Sequence, residues 1–497
     1  MNTTARRYEF GAAGEDHTIV MGLRAGQLGV LAGVLLVAVA TVRASSTGSG
    51  FATALGVIAA GAGLVFWPVK GRTVEQWLPT VARWTSIRAT GRHRHLSPTP
   101  LLGHDQHGAA IQTPPPTLAY LRLLVSPVQA AGRDVGILHD RRHGTYAAVL
   151  AVRGRSFQLA DTPEKQRRLA AWGGVLAALA RSSSPVHRLQ WVERTVPEDA
   201  DVMGRYLAEA VRVPRHHPTL ASYLELVDRA GPAAPQHETL LVVAISAAKG
   251  RRAIRQAGGG DVGAAQVLLR EVLSVQRTLA SADIVVDGLL TPGLLAAAIR
   301  TAFDPEARTA LARRSAADGA EPGTDPANAW PLATEASWST YRSGDVWHTS
   351  YWVAQWPRSP VGPDFLAPLL LGVGGMRSMA VTMEPVSPLR AHREVEHAVL
   401  KSMADEELRS RAGFTSTARR RRAQETASRR EQELADGHAD YRLAGYLTVT
   451  AASPEELEAS CGEVEQAAQQ SALEVRRLDG QQDVAFTWTL PLARGLR

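Results

Sequence analysis

The chain of 497 residues has one cysteine, Cys461, and lysine only at positions 70, 165, 249 and 401. One thiol cannot build a disulfide scaffold or a four-thiolate metal site. Cys461 stands at helical spacing with Leu457 and Val464 and reads as a small core residue. With so little lysine, the net charge of +7 is carried by arginine. That composition alone does not argue for nucleic acid as a partner. The chain also lacks a phosphate loop of the form Gly-x-x-x-x-Gly-Lys-Ser/Thr. Gly372 to Ser378 supplies the glycines and a serine but no lysine, and reads as a tight turn into a strand. Gly258 to Gly263 matches Gly-x-Gly-x-x-Gly, with Asp283 further on. The dinucleotide turn needs its glycines directly after a strand, and here Lys249, Arg251, Arg252 and Arg255 intervene. No Gly-x-Ser-x-Gly elbow is present. His392 and His397 are five residues apart, which does not place both on one helical face as a zinc pair requires. These gaps point to a chain that is not an enzyme, with no cofactor and no metal.

Beyond residue 70, no long uncharged apolar stretch recurs. The two that exist stand together near the amino terminus, at Ala25 to Val42 and at Ala44 to Val69, the second with an apolar core from Phe51. A helix crosses a bilayer with roughly 20 apolar residues. The pair therefore predicts a transmembrane hairpin over 25–69 after an amino-terminal tail, 1–24. Arg6, Arg7 and Arg24 precede it, and Lys70, Arg72, Arg83, Arg88, Arg92 and Arg94 follow it, while the intervening turn has Arg43 alone. Positive charge stays on the cytoplasmic side, so both termini are expected in the cytoplasm, with the hairpin in the plasma membrane. Gly29 and Gly33, and Ala52, Gly56 and Ala60, recur at the spacing that lets helices approach closely in lipid.

Residues 70–117 read as a juxtamembrane helix and linker. Val74, Trp77, Leu78, Val81, Trp84 and Ile87 share a helical face, which makes Trp77 and Trp84 candidate anchors at headgroup depth. Residues 90–117 are rich in His, Pro, Gly and Thr and read as extended linker. From 118 the texture is α/β. Strands are expected near 135–139, 145–153, 186–196, 239–247 and 284–290, and helices begin at the caps Asp161 and Thr291, each with Pro in the first turn. Residues 314–331, rich in Ala, Gly, Pro and Asp, read as a flexible boundary between a first region, 118–313, and a second, 332–497. The second region has strands near 346–356, 379–383, 441–451 and 473–478, a helix capped by Ser453, and a long polar helix over 388–436. The expected class is an α/β (α+β) cytoplasmic body on a two-helix anchor. Arg419, Arg420, Arg421 and Arg422 are the densest charge on the chain. They read as a solvated helix face balanced by nearby acids, or as a contact for nucleic acid or an acidic partner.

Several segments resemble a family of actinobacterial membrane proteins associated with conjugation and type IV secretion. They are Tyr8-Glu9-Phe10, Ile299 to Pro305, Trp338 with Tyr341-Arg342, Tyr351-Trp352 through Trp356-Pro357, and Val475 to Gln482 with Leu490-Pro491. In that family a PrgI-like two-helix hairpin precedes a region similar to the amino-terminal, non-catalytic part of the conjugation motor ATPase. The resemblance implies a non-enzymatic inner-membrane subunit that docks a separate motor ATPase and other secretion-complex membrane subunits, in contact with the lipid bilayer and with possible DNA contact through the arginine run. Type VII secretion core components also place a two-helix hairpin before a cytoplasmic α/β domain and are the alternative. A membrane-tethered enzyme with an unrecognised site is a third reading.

Overall fold

The computed structural model describes residues 18–20, 23–44, 48–66, 72–98, 112–155, 157–181, 184–197, 211–214, 217–230, 236–318, 322–396, 428–430, 432–434 and 437–496. A short antiparallel pair, β1 (Thr18–Val20) and β2 (Leu23–Arg24), leads into the apolar helices α1 (Ala25–Ala44) and α2 (Gly48–Phe66). The two helices pack on each other. A Cβ on Gly61 would lie 2.5 Å from a Val34 methyl, so this is where the backbones come close. The small-residue spacing had pointed elsewhere. Gly29, Gly33 and Gly56 face open space, because the crossing point is set by which face each helix turns to its partner and not by spacing alone. Among the described residues one helix, Gly26–Ala44, is long and apolar enough to cross a membrane by length and composition, and the apolar part of α2, Gly48–Gly63, is shorter.

Among the described residues the body is built on one 13-stranded sheet, and every pairing in it is antiparallel. In chain order the strands are β3 (Arg94–Leu96), β4 (Leu121–Val125), β5 (Gly136–Asp140), β6 (Thr145–Gly154), β7 (Val186–Val196), β8 (Gln236–Ser246), β9 (Ile284–Leu289), β10 (Ala333–Ala336), β11 (Tyr341–Ser343), β12 (Val346–Gln355), β13 (Met376–Pro385), β14 (Tyr441–Ala451) and β15 (Glu474–Arg477). Across the sheet they run β3-β10-β11-β12-β14-β13-β7-β8-β6-β5-β4, with β15 also on β12 and β9 also on β6. Strands and helices alternate along the chain as expected, and the helical crossovers from β6 to β7, β8 to β9 and β14 to β15 each join strands that run parallel to one another, with an antiparallel strand (β8, β6 and β12 in turn) lying between them. The two halves share the sheet through β7 and β13, paired from Leu189↔Met383 to Arg194↔Ser378. Arg94–Leu96, inside the stretch expected as linker, is a strand at the sheet's end, paired with β10.

Both faces of the central strands are covered, which is why β8 is a continuous apolar run. Leu240, Val242 and Ala244 enter one core, and Leu241, Val243 and Ile245 enter the other, as the two-residue period of a strand dictates. The first core is closed by α8 (Pro292–Phe303) and α12 (Gln482–Thr489) with the tail behind it. The second is closed by α4 (Thr162–Leu179) and α7 (Gly260–Leu279). A third core lies between β12, β14 and α11 (Pro454–Gln470), and Cys461 is buried in it. The expected caps form: Asp161, Thr291 and Ser453 each accept from the backbone N–H three residues on.

Candidate functional site at the foot of the apolar helices

The glycine-rich segments are structural in detail. Gly372 ends α10 (Ala367–Leu371), and the fully buried Arg377 donates to the carbonyl oxygens of Val373, at 3.0 Å, and Leu370. The guanidinium thus closes the helix end and does not face solvent; burial lowers its pKa, partly offset by Glu193. Gly258, Gly259 and Gly260 all have positive φ and turn the chain from α6 (Arg251–Gln256) into α7. Asp261 accepts from the Tyr146 hydroxyl at 2.6 Å, and Asp283 pairs with Arg168 at 2.8 Å. The three residues His348, Ser343 and Thr450 are bonded in sequence but wholly within the core. Ser343 Oγ lies 2.8 Å from Nε2 and Thr450 Oγ1 lies 3.0 Å from Nδ1. Burial lowers the His348 pKa to about 3, so the ring is neutral.

The residues near the apolar helices are organised around α3 (Val74–Ala89). Its first turn reaches back to α1: a Cβ on Gly26 would lie 2.9 Å from Glu75 Oε2. Its inner face carries Trp77, Thr80, Arg83 and Trp84, spaced so that all four meet the body. Trp338 sits between the two tryptophans. It stacks on Trp77 with centroids 5.9 Å apart and meets Trp84 edge-on at 5.6 Å. Arg83 pairs with Asp483 at 2.5 Å and donates to the Gly480 carbonyl at 3.2 Å. Gln481 Nε2 donates to Thr80 Oγ1 at 2.9 Å, and the Gly480 N–H donates to the Trp338 carbonyl at 2.6 Å. The helix is therefore held to the β15–α12 turn by an ion pair and two hydrogen bonds, and to the β10–β11 turn by the rings around Trp338. Its outer face exposes Leu78 and Val81, at 59% and 42%.

A cleft of about 450 Å³ opens beside this clamp, lined by Arg72, Trp77, Trp338, Arg476, Arg477 and Asp479 among others. The Arg72 guanidinium lies 5.4 Å from the Trp77 ring centroid, within cation–π range. Arg477 donates to the Tyr351 hydroxyl at 3.1 Å and to Glu458 at 3.1 Å, while Arg476 pairs with Glu474 at 2.6 Å. The Tyr351 pKa is raised far above its usual value, first by burial and then by its contacts with Cys461 and Glu465.

The end of the chain is tied down by charge. Arg494 meets Asp140 Oδ2 through Nε at 2.8 Å and Nη2 at 2.7 Å, with both groups buried. Burial by itself would raise the Asp140 pKa, but Arg494 and His143 together hold it below the usual carboxylate value.

Of the sequence candidates, the structure brings Trp77 and Trp84 together through Trp338. Arg419, Arg420, Arg421 and Arg422 lie outside the described residues, as does most of the polar helix expected over 388–436, of which the described parts, 388–396, 428–430 and 432–434, are helical. Trp338, Gly480 and the cleft arginines are not legible as a site in the sequence, because the contacts that join them to α3 span from about 250 to about 400 positions; the Gly480-Gln481 turn after a short strand is their one local signal.

Residues 233–353, about a quarter of the chain, match the family model described as "Putative type VII ESX secretion system translocon, EccE". The match runs from β8 to β12. It overturns the type IV, conjugation and PrgI-like resemblance drawn from sequence segments. Among the described residues these segments pack the body: the Phe303 ring lies tilted 4.8 Å from Phe486, Tyr351 is core, and Trp338 meets α3; Tyr8-Glu9-Phe10 lies outside the described residues. A comparison with curated proteins found no match.

Proposed function

We propose that the chain is a non-enzymatic membrane subunit of a type VII secretion translocon. The observation that carries the proposal is the EccE match over β8 to β12. The amino-terminal helices support it. Leu35, Leu36, Val37, Val39, Phe51 and Leu55 are all exposed on α1 and α2, an apolar surface too extended for water alone. In this reading α1 and α2 cross the plasma membrane as a hairpin. An ideal helix of α1's 20 residues is about 30 Å long, the thickness of the hydrocarbon layer. Arginine on the α3 side of the hairpin supports a cytoplasmic body and cytoplasmic termini. The sheet is then a docking platform for the other membrane subunits of the translocon and for a separate cytoplasmic ATPase, and the clamp on α3 fixes the angle between anchor and platform.

The test is purification of the tagged full chain from gently solubilised membranes of a cell expressing the whole gene cluster. Other translocon subunits should co-purify. Recovery of the chain alone, or its release from membranes by alkaline carbonate, would sink the proposal. Topology is read from cysteines placed at Ser46 and at the exposed Ser86 in intact cells, since Cys461 is buried and does not compete for label. An impermeant reagent should label only the Ser46 probe.

A further inference from the structure

The cleft beside α3 has a composition that the docking role does not use. Three guanidinium groups line it, from Arg72, Arg476 and Arg477, against one carboxylate, Asp479, which is 2% exposed. One wall is the stacked pair of Trp77 and Trp338, their planes 21° apart. We propose that this cleft binds the phosphate of an anionic phospholipid headgroup.

Position is the first argument, and it rests on the membrane reading above. Arg72 follows Phe66, the last residue of α2, by six positions, a reach of at most about 22 Å for extended chain. The headgroup layer lies about 5–8 Å beyond the hydrocarbon on each side, so the cleft mouth falls within reach of it. The outer face of α3 exposes Leu78 and Val81, with Thr85 and Ser86 toward its end, while the inner face is clamped to the body. A helix with that outer face beside a bilayer lies at the headgroup boundary, and its inner face then presents the cleft to the same layer.

Chemistry is the second argument. A planar guanidinium holds a phosphate through paired N–H donors, and three arginines line this one cleft of about 450 Å³. Arg476 is oriented by Glu474, and Arg477 by Glu458, Glu465 and the Tyr351 hydroxyl; the three carboxylate side chains are 45%, 69% and 48% exposed. Exposed ion pairs are worth only about 0–1 kcal/mol, so those carboxylates can yield to a phosphate without loss of fold. They hold the guanidinium groups in place until it arrives. The indole pair supplies a flat amphipathic wall against the glycerol backbone, as aromatic belts do at membrane surfaces. A choline headgroup would bring its own cation to three arginines, so the site favours phosphatidylglycerol over phosphatidylcholine.

The experiment uses the full chain in a non-ionic detergent, titrated calorimetrically with dihexanoyl-phosphatidylglycerol, dihexanoyl-phosphatidylcholine and inorganic phosphate. Saturable binding of the phosphatidylglycerol is expected, at least tenfold tighter than either other probe. The double variant Arg72→Gln with Arg476→Gln should weaken it at least tenfold while leaving the thermal midpoint within a degree or two. Equal affinity for the choline lipid, or unchanged binding by the variant, would overturn the proposal. Binding of inorganic phosphate as tight as that of the lipid would overturn the lipid assignment and leave a free-phosphate site. Alkaline carbonate extraction of the same chain separates the two readings. A chain that stays in the membrane pellet but shows no phosphatidylglycerol preference refutes the cleft alone, and a chain that is extracted refutes the membrane reading beneath it.

Discussion

Gly480 is the point at which one methyl group should unfasten α3. The residue is buried and its φ is +73°, in the left-handed region. An added Cβ would lie 2.9 Å from Thr80 Cγ2, and 2.9 Å and 3.1 Å from Trp338 Cζ3 and Cη2. Holding an L-residue in that backbone conformation costs about 1–2 kcal/mol. Forcing a methyl into a filled space costs about 1–3 kcal/mol more. The sum, about 2–5 kcal/mol, falls on the turn that receives Arg83 and faces Trp338. Gly480→Ala should therefore release α3 locally before the sheet unfolds. Hydrogen exchange on the full chain in detergent is the assay. Protection of the amides of residues 74–89 should fall at least tenfold, since about 1.4 kcal/mol is a factor of ten. Thr80→Ser removes the clashing methyl but keeps the hydroxyl that accepts from Gln481. Combined with Gly480→Ala it should recover part of the loss, a coupling of about 0.5 kcal/mol or more. Unchanged exchange in Gly480→Ala, or no recovery in the double variant, would refute the close-packed turn as the origin of the clamp.

Asp140→Asn should cost about 3–5 kcal/mol, because it strands the buried Arg494 guanidinium without its counter-charge, and should quicken carboxypeptidase digestion of the tail; equal urea midpoints would refute it. His348 has a folded pKa near 3 against an unfolded value near 6.5, so the unfolded chain binds the extra proton between them and stability falls as pH drops through that window. The loss between pH 6.5 and pH 4 is about 3 kcal/mol from this ring, and His348→Gln should show a flatter acid limb in urea midpoints, whereas parallel limbs would exclude the effect. Arg377→Met should destabilise by about 1.5–3 kcal/mol by leaving the carbonyls of Leu370 and Val373 without donors, measured by thermal or urea unfolding; a neutral effect would show that water replaces the guanidinium there.

The elements were legible in the sequence wherever their cause was local. β7 and β14 have the ends that the apolar runs predict, and three helices start at the caps read from Asp161, Thr291 and Ser453. A capping oxygen three residues from its donor, or a run buried on both faces, depends on neighbours in the chain. α12 was missed because Gln482–Thr489 is short and its helicity is imposed by burial: Gln482 is bonded to the Ser350 backbone across the core. β3 was missed for the same reason, since three residues form a strand there only because β10 presents its edge.

Composition by itself established that this chain has two apolar stretches near its amino terminus, an arginine-rich polar body and a single thiol. Hydrophobic period and capping chemistry established most of the strands and helices, because these are short-range properties of the backbone and its nearest side chains. Which strands become neighbours was decided only by the tertiary structure. Closing β7 onto β13 joins residues almost two hundred positions apart, and nothing local encodes that choice. The site followed the same division. Trp77 and Trp84 stood out in the sequence as one helical face, but what they touch, and the cleft that results, depended on Trp338 and Gly480 arriving from the far end of the chain, where long-range packing brings them.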